Sequence, residues 1–141
     1  MRYSFLENSV DNHIHCCPHI NKRSTNIFEV VEHAEKNKMY AIGLMDNFSN
    51  TSGYASLVRK YFPNLNLKIF GGLIMEPPAG GVSYENVKIA LEYSYHENDG
   101  AKFISFPTHH TRHIAIQEKR SNDSDPKYLI ETCLHLGLDP V

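Results

Sequence analysis

The sequence predicts an α/β fold made of parallel βα units, and two observations indicate it. Short apolar segments rich in β-branched and aromatic residues alternate with segments of helical periodicity, which is the order expected of parallel strands joined by helices. Imidazole and carboxylate side chains follow the apolar segments at intervals of about thirty residues, close to the length of one βα unit. We expect one domain over residues 1–141.

The elements follow from local pattern. The apolar segments predict strands over about residues 10–15, 40–45, 67–75 and 102–106. Apolar residues at helical spacing predict helices over residues 27–38, 52–61 and 84–96. Thr25 or Asn26 is suited to cap the first helix, and Ser83 the third. A last helix is predicted between Asp125, as its cap, and Gly137, at its C-terminal end.

Composition argues against a nucleic-acid or membrane partner. The net charge is −2 and the pI about 6.5, far from the basic surface that binds phosphate backbones. The sequence lacks an apolar run of the ~18 residues that a membrane span needs, and its first residues lack the apolar centre of a signal peptide. Three cysteines, with Cys133 far from the adjacent Cys16 and Cys17, do not form a disulfide framework. We therefore expect a cytoplasmic protein.

The polar residues at the predicted strand ends suit a metal site. In His13-Ile14-His15, two side chains on a strand point to the same side, so one rigid element offers two imidazole ligands. Glu76 and His109 follow later predicted strands at the same interval of about thirty residues. We therefore predict metal ligands at His13, His15, Glu76 and His109. The ion is a divalent metal, with Zn the first choice and Mn, Fe or Ni compatible.

Catalytic and substrate-binding roles are assigned to neighbouring side chains. Asp46 or Glu76 would take a proton from water, and His110 would act beside His109, since adjacent residues on an extended segment face opposite ways. Arg23 would hold an anionic substrate group with its planar fork. Structural alternatives stay open: Asp46 as a loop cap, Glu76 as a surface turn carboxylate, Arg23 as a solvated loop charge and the histidines as half-exposed strand ends.

Several motifs resemble an uncharacterised branch of the amidohydrolase-like metal-dependent hydrolases, over about residues 10–113. They are Asp11-Asn12-His13-Ile14-His15 with Pro18 and Arg23, Phe70-Gly71-Gly72-Leu73, Gly80-Gly81, Gly100-Ala101-Lys102 and Phe106-Pro107-Thr108. The resemblance implies a (β/α)₈ barrel of the TIM type with one or two divalent metals at the C-terminal ends of its strands, and metal histidines at His13 and His15. It also implies a substrate or metal contact at His109, His110 or His113. After the second strand, where the relatives carry a lysine and histidines, this chain has Met45-Asp46-Asn47-Phe48.

A full (β/α)₈ barrel takes about 250 residues, whereas this chain offers four βα units. The fold that the resemblance implies is therefore a partial or half barrel. We expect either that a second copy or a partner subunit completes it, or that the shortened chain folds around a smaller sheet. The predicted function is metal-dependent hydrolysis of an amide, ester or phosphoester bond in a small molecule. Two alternatives are a non-catalytic or partner-dependent subunit with a degenerate metal site, and an isomerase or lyase that uses the metal to stabilise an enolate.

Overall fold

The computed structural model describes residues 3–111 and residue 114. Four parallel strands lie in the order β1-β2-β3-β4, and three α-helices alternate with them along the chain, which confirms the α/β fold. The strands are β1 (Val10–Ile14), β2 (Ala41–Leu44), β3 (Lys68–Ile74) and β4 (Phe103–Ser105). The helices are α1 (Ile27–Lys36), α2 (Ser52–Tyr61) and α3 (Tyr84–Glu92). Single 3₁₀ turns occupy Ser4–Leu6 and Pro77–Ala79.

Some predictions lie outside the described residues. They are the last helix between Asp125 and Gly137, Cys133 and the substrate contact at His113. Within the part of the chain that the structure describes, every helix is too short or too polar to cross a bilayer.

Helix α1 begins as predicted at Ile27, with Asn26 as its cap, and ends two residues before the predicted end. The Asn26 side chain accepts a hydrogen bond from the Glu29 amide at 3.0 Å, and the Glu29 carboxylate accepts one from the Asn26 amide at 2.8 Å. This reciprocal pair satisfies two amides that have no partner within the helix. Lys38 has a φ of 53°, in the left-handed region, so the helix cannot include it.

Helix α3 ends at Glu92, so the predicted end at residue 96 is wrong. Its terminal groups bond to other elements. The Ala90 carbonyl accepts from the Ala101 amide at 2.8 Å, and the Tyr95 amide donates to the Ser56 hydroxyl at 2.9 Å. These bonds to α2 and to the segment before β4 replace the bonds that another helical turn would need.

All three helices pack on one face of the sheet. Helices α1 and α2 share a buried apolar cluster with β2 and β3, and α3 forms a second cluster with Leu73 of β3 and Ile104 of β4. The first cluster includes Val31, Ala34, Ile42, Leu44, Ala55, Val58 and Ile69. Strand β1 lies at one sheet edge and is largely exposed, and β4 at the other edge is half-buried, whereas β2 is buried. An edge strand has a neighbour on one side only.

Candidate functional site

The carboxyl ends of the four parallel strands meet along one edge of the sheet, and the predicted polar residues follow them there. His15 comes directly after β1, Asp46 after β2, Glu76 after β3 and Thr108 after β4. Side-chain contacts join these residues into two groups. The β1–β2 cluster consists of His13, His15, His19, Arg23 and Asp46. The β3–β4 cluster consists of Glu76, Thr108, His109 and His110.

The two imidazoles of the His-x-His motif face each other. Nε2 of His13 lies 3.1 Å from Nε2 of His15, and the ring centroids are 5.1 Å apart. Two nitrogens that bind one tetrahedral zinc at about 2.1 Å would be about 3.4 Å apart. The spacing therefore fits two ligands of a single ion, and it is also short enough for a hydrogen bond between the rings.

An irregularity in β1 orients this pair. The register between β1 and β2 shifts between Asp11 and Ile14, so that Ile14 packs against the helix-side core while the imidazoles lie on the opposite face. At Gly43 of β2, a Cβ atom would lie 2.7 Å from the Asn12 carbonyl oxygen. A larger residue at Gly43 would displace the irregular segment that carries the histidines.

Electrostatics keep His15 in the form that binds metals. Burial lowers the pKa of His15, and the nearby His13, Arg23 and His19 lower it further, against a smaller opposing effect of Asp46. The His15 imidazole is therefore neutral at pH 7, as a metal ligand must be. Its Nδ1 is buried and has no hydrogen-bond partner among the described residues.

His19, for which the sequence predicts no role in the site, occupies the centre of the β1–β2 cluster. Its side chain is 1% exposed, and its ring packs edge-on against Phe48 at 5.6 Å. Nδ1 accepts a hydrogen bond from the Asn21 amide at 3.0 Å. Nε2 lies 3.0 Å from Nη2 of Arg23 and 3.7 Å from Oδ1 of Asp46. His19 thus joins the loop after β1 to the end of β2.

Asp46 is both a loop cap and a member of the site. Its Oδ1 accepts a hydrogen bond from the Phe48 amide at 2.8 Å, and its Oδ2 accepts one from the Ser49 hydroxyl at 3.2 Å. The carboxylate is buried, yet these two bonds leave acceptor positions unused. Asp46 can therefore accept a further proton or ligand.

Glu76 organises the β3–β4 cluster. Its side chain is 0% exposed, so the surface-turn alternative is wrong. Oε1 accepts from the Thr108 amide at 2.6 Å, the Thr108 hydroxyl at 3.1 Å and the His109 amide at 2.6 Å. Oε2 accepts from the His110 amide at 3.2 Å and from His110 Nδ1 at 2.6 Å. Because a carboxylate offers about four lone-pair sites, these donors occupy it fully.

The charge on Glu76 is predicted to make stability depend on acid pH. Burial raises the pKa of Glu76, but hydrogen bonds from the His109 amide, the His110 side chain and Thr108 outweigh it and lower the pKa below its usual value. The stabilisation is therefore complete above about pH 4.3, the ordinary glutamate pKa, and is lost as the pH falls through the lower folded pKa. Urea denaturation between pH 3 and 6 should show this loss, and a Glu76→Gln variant should show a smaller slope.

Asn47 links the two clusters. Its side-chain Nδ2 donates to the Thr108 hydroxyl at 3.1 Å and lies 3.0 Å from Nδ1 of His109. Asn47 is buried and directly follows Asp46. No role for Asn47 is predicted from the sequence, although its position beside Asp46 at a strand end is a usable signal. Asn47 therefore connects the two clusters, through its side chain to Thr108 and His109 and through the backbone to Asp46.

The structure divides the predicted ligands between the two clusters. His13 and His15 lie together, whereas Glu76 and His109 lie in the other cluster. Within residues 3–111 and residue 114, no group of three or more His, Cys, Asp or Glu side chains is arranged to hold one ion. Burial, the adjacent Cys17 and Asp46 raise the pKa of Cys16, so its thiol is protonated at pH 7.

Comparison with known proteins identifies one family. The model of DUF6282, a family of unknown function, matches residues 8–136. No curated protein and no solved structure matches the sequence. The site geometry is therefore the basis for assigning a function.

Proposed function

The chain belongs to DUF6282, a family of unknown function, and we propose that it is a metal-dependent hydrolase that cleaves an amide, ester or phosphoester bond in a small molecule. The observation that supports this most directly is the His13 and His15 pair, with its Nε2 atoms 3.1 Å apart, in one cluster with the buried Asp46 carboxylate. The sheet edge formed by the strands' carboxyl ends is also where parallel α/β folds place their reactive groups.

His13 and His15 would hold a divalent metal, with zinc the best match to neutral imidazole. When bound, such an ion lowers the pKa of water to about 7 and polarises a substrate oxygen. Asp46 has unused acceptor positions and would take the proton from the attacking water. Arg23 would hold an anionic group of the substrate.

The β3–β4 cluster would serve the leaving group. Because a carboxylate only accepts hydrogen bonds, Glu76 requires the proton of His110 on Nδ1. Neutral His110 then has its lone pair on Nε2, where it can exchange a proton with substrate. The His109 side chain is 57% exposed and lies at the surface of the site, where it would contact metal or substrate. The substrate contact at His113 stays a prediction.

Metal content tests the proposal. Replacing both His13 and His15 by Ala is expected to reduce bound metal, measured by plasma mass spectrometry after dialysis against zinc, from about one or two ions per chain to nearly none. The matched control replaces His33 and His96, two exposed histidines remote from the strand ends, and should leave metal content unchanged. Equal metal content in the wild type and the His13/His15 variant would contradict the assignment.

We also propose that the fold is a partial or half TIM-type barrel completed by a second copy or a partner subunit. The consecutive strand order and the packing of all three helices on one face support this, since a barrel has both features. Light scattering of the purified protein should then give at least twice the chain mass of 16.1 kDa. A homogeneous monomer at micromolar concentration would contradict completion by a second copy.

A non-catalytic subunit is the second candidate. It is favoured by one observation: a third ligand for the His13 and His15 pair is absent from the residues that the structure describes. This candidate predicts no turnover of small amides, esters or phosphoesters even when the protein is loaded with metal. Metal-dependent turnover that the His13/His15 variant loses would reject it.

A further inference from the structure

Arg23 is a half-buried cation that has no anionic partner among the residues that the structure describes. Nη2 of its guanidinium lies 3.0 Å from Nε2 of His19, whose Nδ1 already accepts from the Asn21 amide. Its Nε is buried and has no hydrogen-bond partner within the same part of the chain. Over residues 3–111 and 114, the ion pairs within 4 Å do not include Arg23. By contrast, the described Arg59 is paired with Asp99 at 2.8 Å.

The guanidinium of Arg23 lies close to the proposed reactive groups. A buried N–H of a charged group is destabilising unless a partner satisfies it. Arg23 contacts the buried ring of His19, which the Asn21 amide holds from the other side. The ring centroid of His19 is in turn 5.9 Å from that of His15, so Arg23 lies one side chain away from the proposed metal ligands. Arg23 is therefore held beside the reactive groups with binding capacity to spare.

We propose that Arg23 binds a carboxylate of the substrate, so that the natural substrate is a small carboxylic acid with its scissile bond close to that group. This inference rests on the proposed hydrolase function and names its substrate class. The planar guanidinium presents paired N–H groups that match the two oxygens of a carboxylate. The contact with the buried His19 ring limits the positions of the Arg23 guanidinium before the ligand arrives, and this reduces the entropy lost on binding.

The number of available cations favours a carboxylate over a phosphate monoester. The β1–β2 cluster contains one fixed cation, Arg23, and one buried carboxylate, Asp46. The paired N–H groups of one guanidinium match both oxygens of a carboxylate. A phosphate monoester carries a further oxygen and a second charge, for which the side chains of this cluster offer no second fixed cation.

Binding experiments on the full chain test this with matched probes. N-acetylglycine carries a carboxylate next to an amide, N-acetylglycinamide is its neutral counterpart, and inorganic phosphate is the competing anion. Titrations followed by NMR on arginine-labelled protein should show saturable binding of N-acetylglycine that shifts the Arg23 Nε–H signal. The neutral amide and phosphate should bind at least about tenfold more weakly.

Variants assign the effect to Arg23. Arg23→Gln should weaken N-acetylglycine binding at least about tenfold, and Arg23→Lys should restore part of the affinity because it keeps the charge without the fork. Lys22→Gln is the control, because it removes the same charge from an exposed position in the same loop, and it should change affinity less than about twofold. The Arg23 Nε–H signal of the wild type gives a result even where a variant fails to fold.

The measurements are made before and after chelator treatment, and repeated on the His13/His15 double variant. Retained N-acetylglycine binding without metal supports the carboxylate site even where the metal assignment fails, and loss of metal binding alone counts only against the hydrolase proposal. The carboxylate site is overturned if N-acetylglycine does not bind the wild type saturably, or if N-acetylglycinamide binds with equal affinity. It is also overturned if inorganic phosphate binds more tightly than N-acetylglycine, or if Arg23→Gln and Lys22→Gln lose the same affinity for N-acetylglycine.

Discussion

Replacing Glu76 by Gln is expected to destabilise the protein by about 3 kcal/mol, because a buried charged acceptor loses partners that only a carboxylate can satisfy. If the new amide nitrogen takes the place of Oε2, it faces the His110 backbone amide, which also donates and cannot change its role. If it takes the place of Oε1, it faces two backbone amides, those of Thr108 and His109. Either orientation leaves buried donors opposed to each other.

Urea or thermal denaturation at pH 7 measures this loss, which corresponds to a fall in Tm of about 10 °C for a chain of this size. Glu92→Gln is the matched control, since it makes the same chemical change at an exposed position at the end of α3, and it should alter stability by less than about 0.5 kcal/mol. If Glu76→Gln were as stable as Glu92→Gln, the five hydrogen bonds to Glu76 would not contribute as proposed.

The sequence is sufficient to predict the sheet and the sheet edge where the candidate residues lie. Parallel strands are short apolar segments, and the polar residues that follow them stand out by contrast, so His15, Asp46 and Glu76 were placed correctly after β1, β2 and β3. The end of α3 was not predictable in the same way. It depends on hydrogen bonds to Ser56 and Ala101, which become neighbours of the helix only in the folded chain.

His19 shows why part of the site escaped prediction. The loop after β1 closes on itself, because the Cys17 amide donates to the Thr25 carbonyl at 2.9 Å and the Ile27 amide donates to the Cys17 carbonyl at 3.0 Å. This closure returns His19 and Arg23 to the strand ends. Periodicity carries no information about such a loop. The spacing of one histidine and one arginine shortly after His-x-His was the only signal available.

Glu76 illustrates a second limit of sequence reasoning. A carboxylate after a buried strand can bind metal, act as a base or accept hydrogen bonds, and the local sequence is the same in each case. The number of donors around Glu76 distinguishes these roles, and those donors come from residues 108–110, more than thirty positions later. Only the pairing of β3 with β4 brings them together.

Replacing Asp46 by Asn is expected to lower kcat by about 10²- to 10⁴-fold while metal content stays unchanged, because the amide cannot take the proton from water. The change preserves shape, and the amide oxygen can still accept from the Phe48 amide in place of Oδ1. The Ser49 hydroxyl can rotate to accept from the new amide nitrogen in place of donating to Oδ2. The fold should therefore persist, and the loss should be confined to turnover.

Measuring this requires a panel of small amides, esters and phosphoesters assayed with zinc, manganese and iron, and kcat is compared for the substrate that the wild type turns over fastest. Glu32→Gln removes the same charge from an exposed position on α1 and should retain full turnover. An unchanged kcat in Asp46→Asn would indicate that another group acts as the base. The dyad of His110 and Glu76 would then be the remaining candidate, because Glu76 holds the His110 proton on Nδ1 and leaves Nε2 to accept the proton of water.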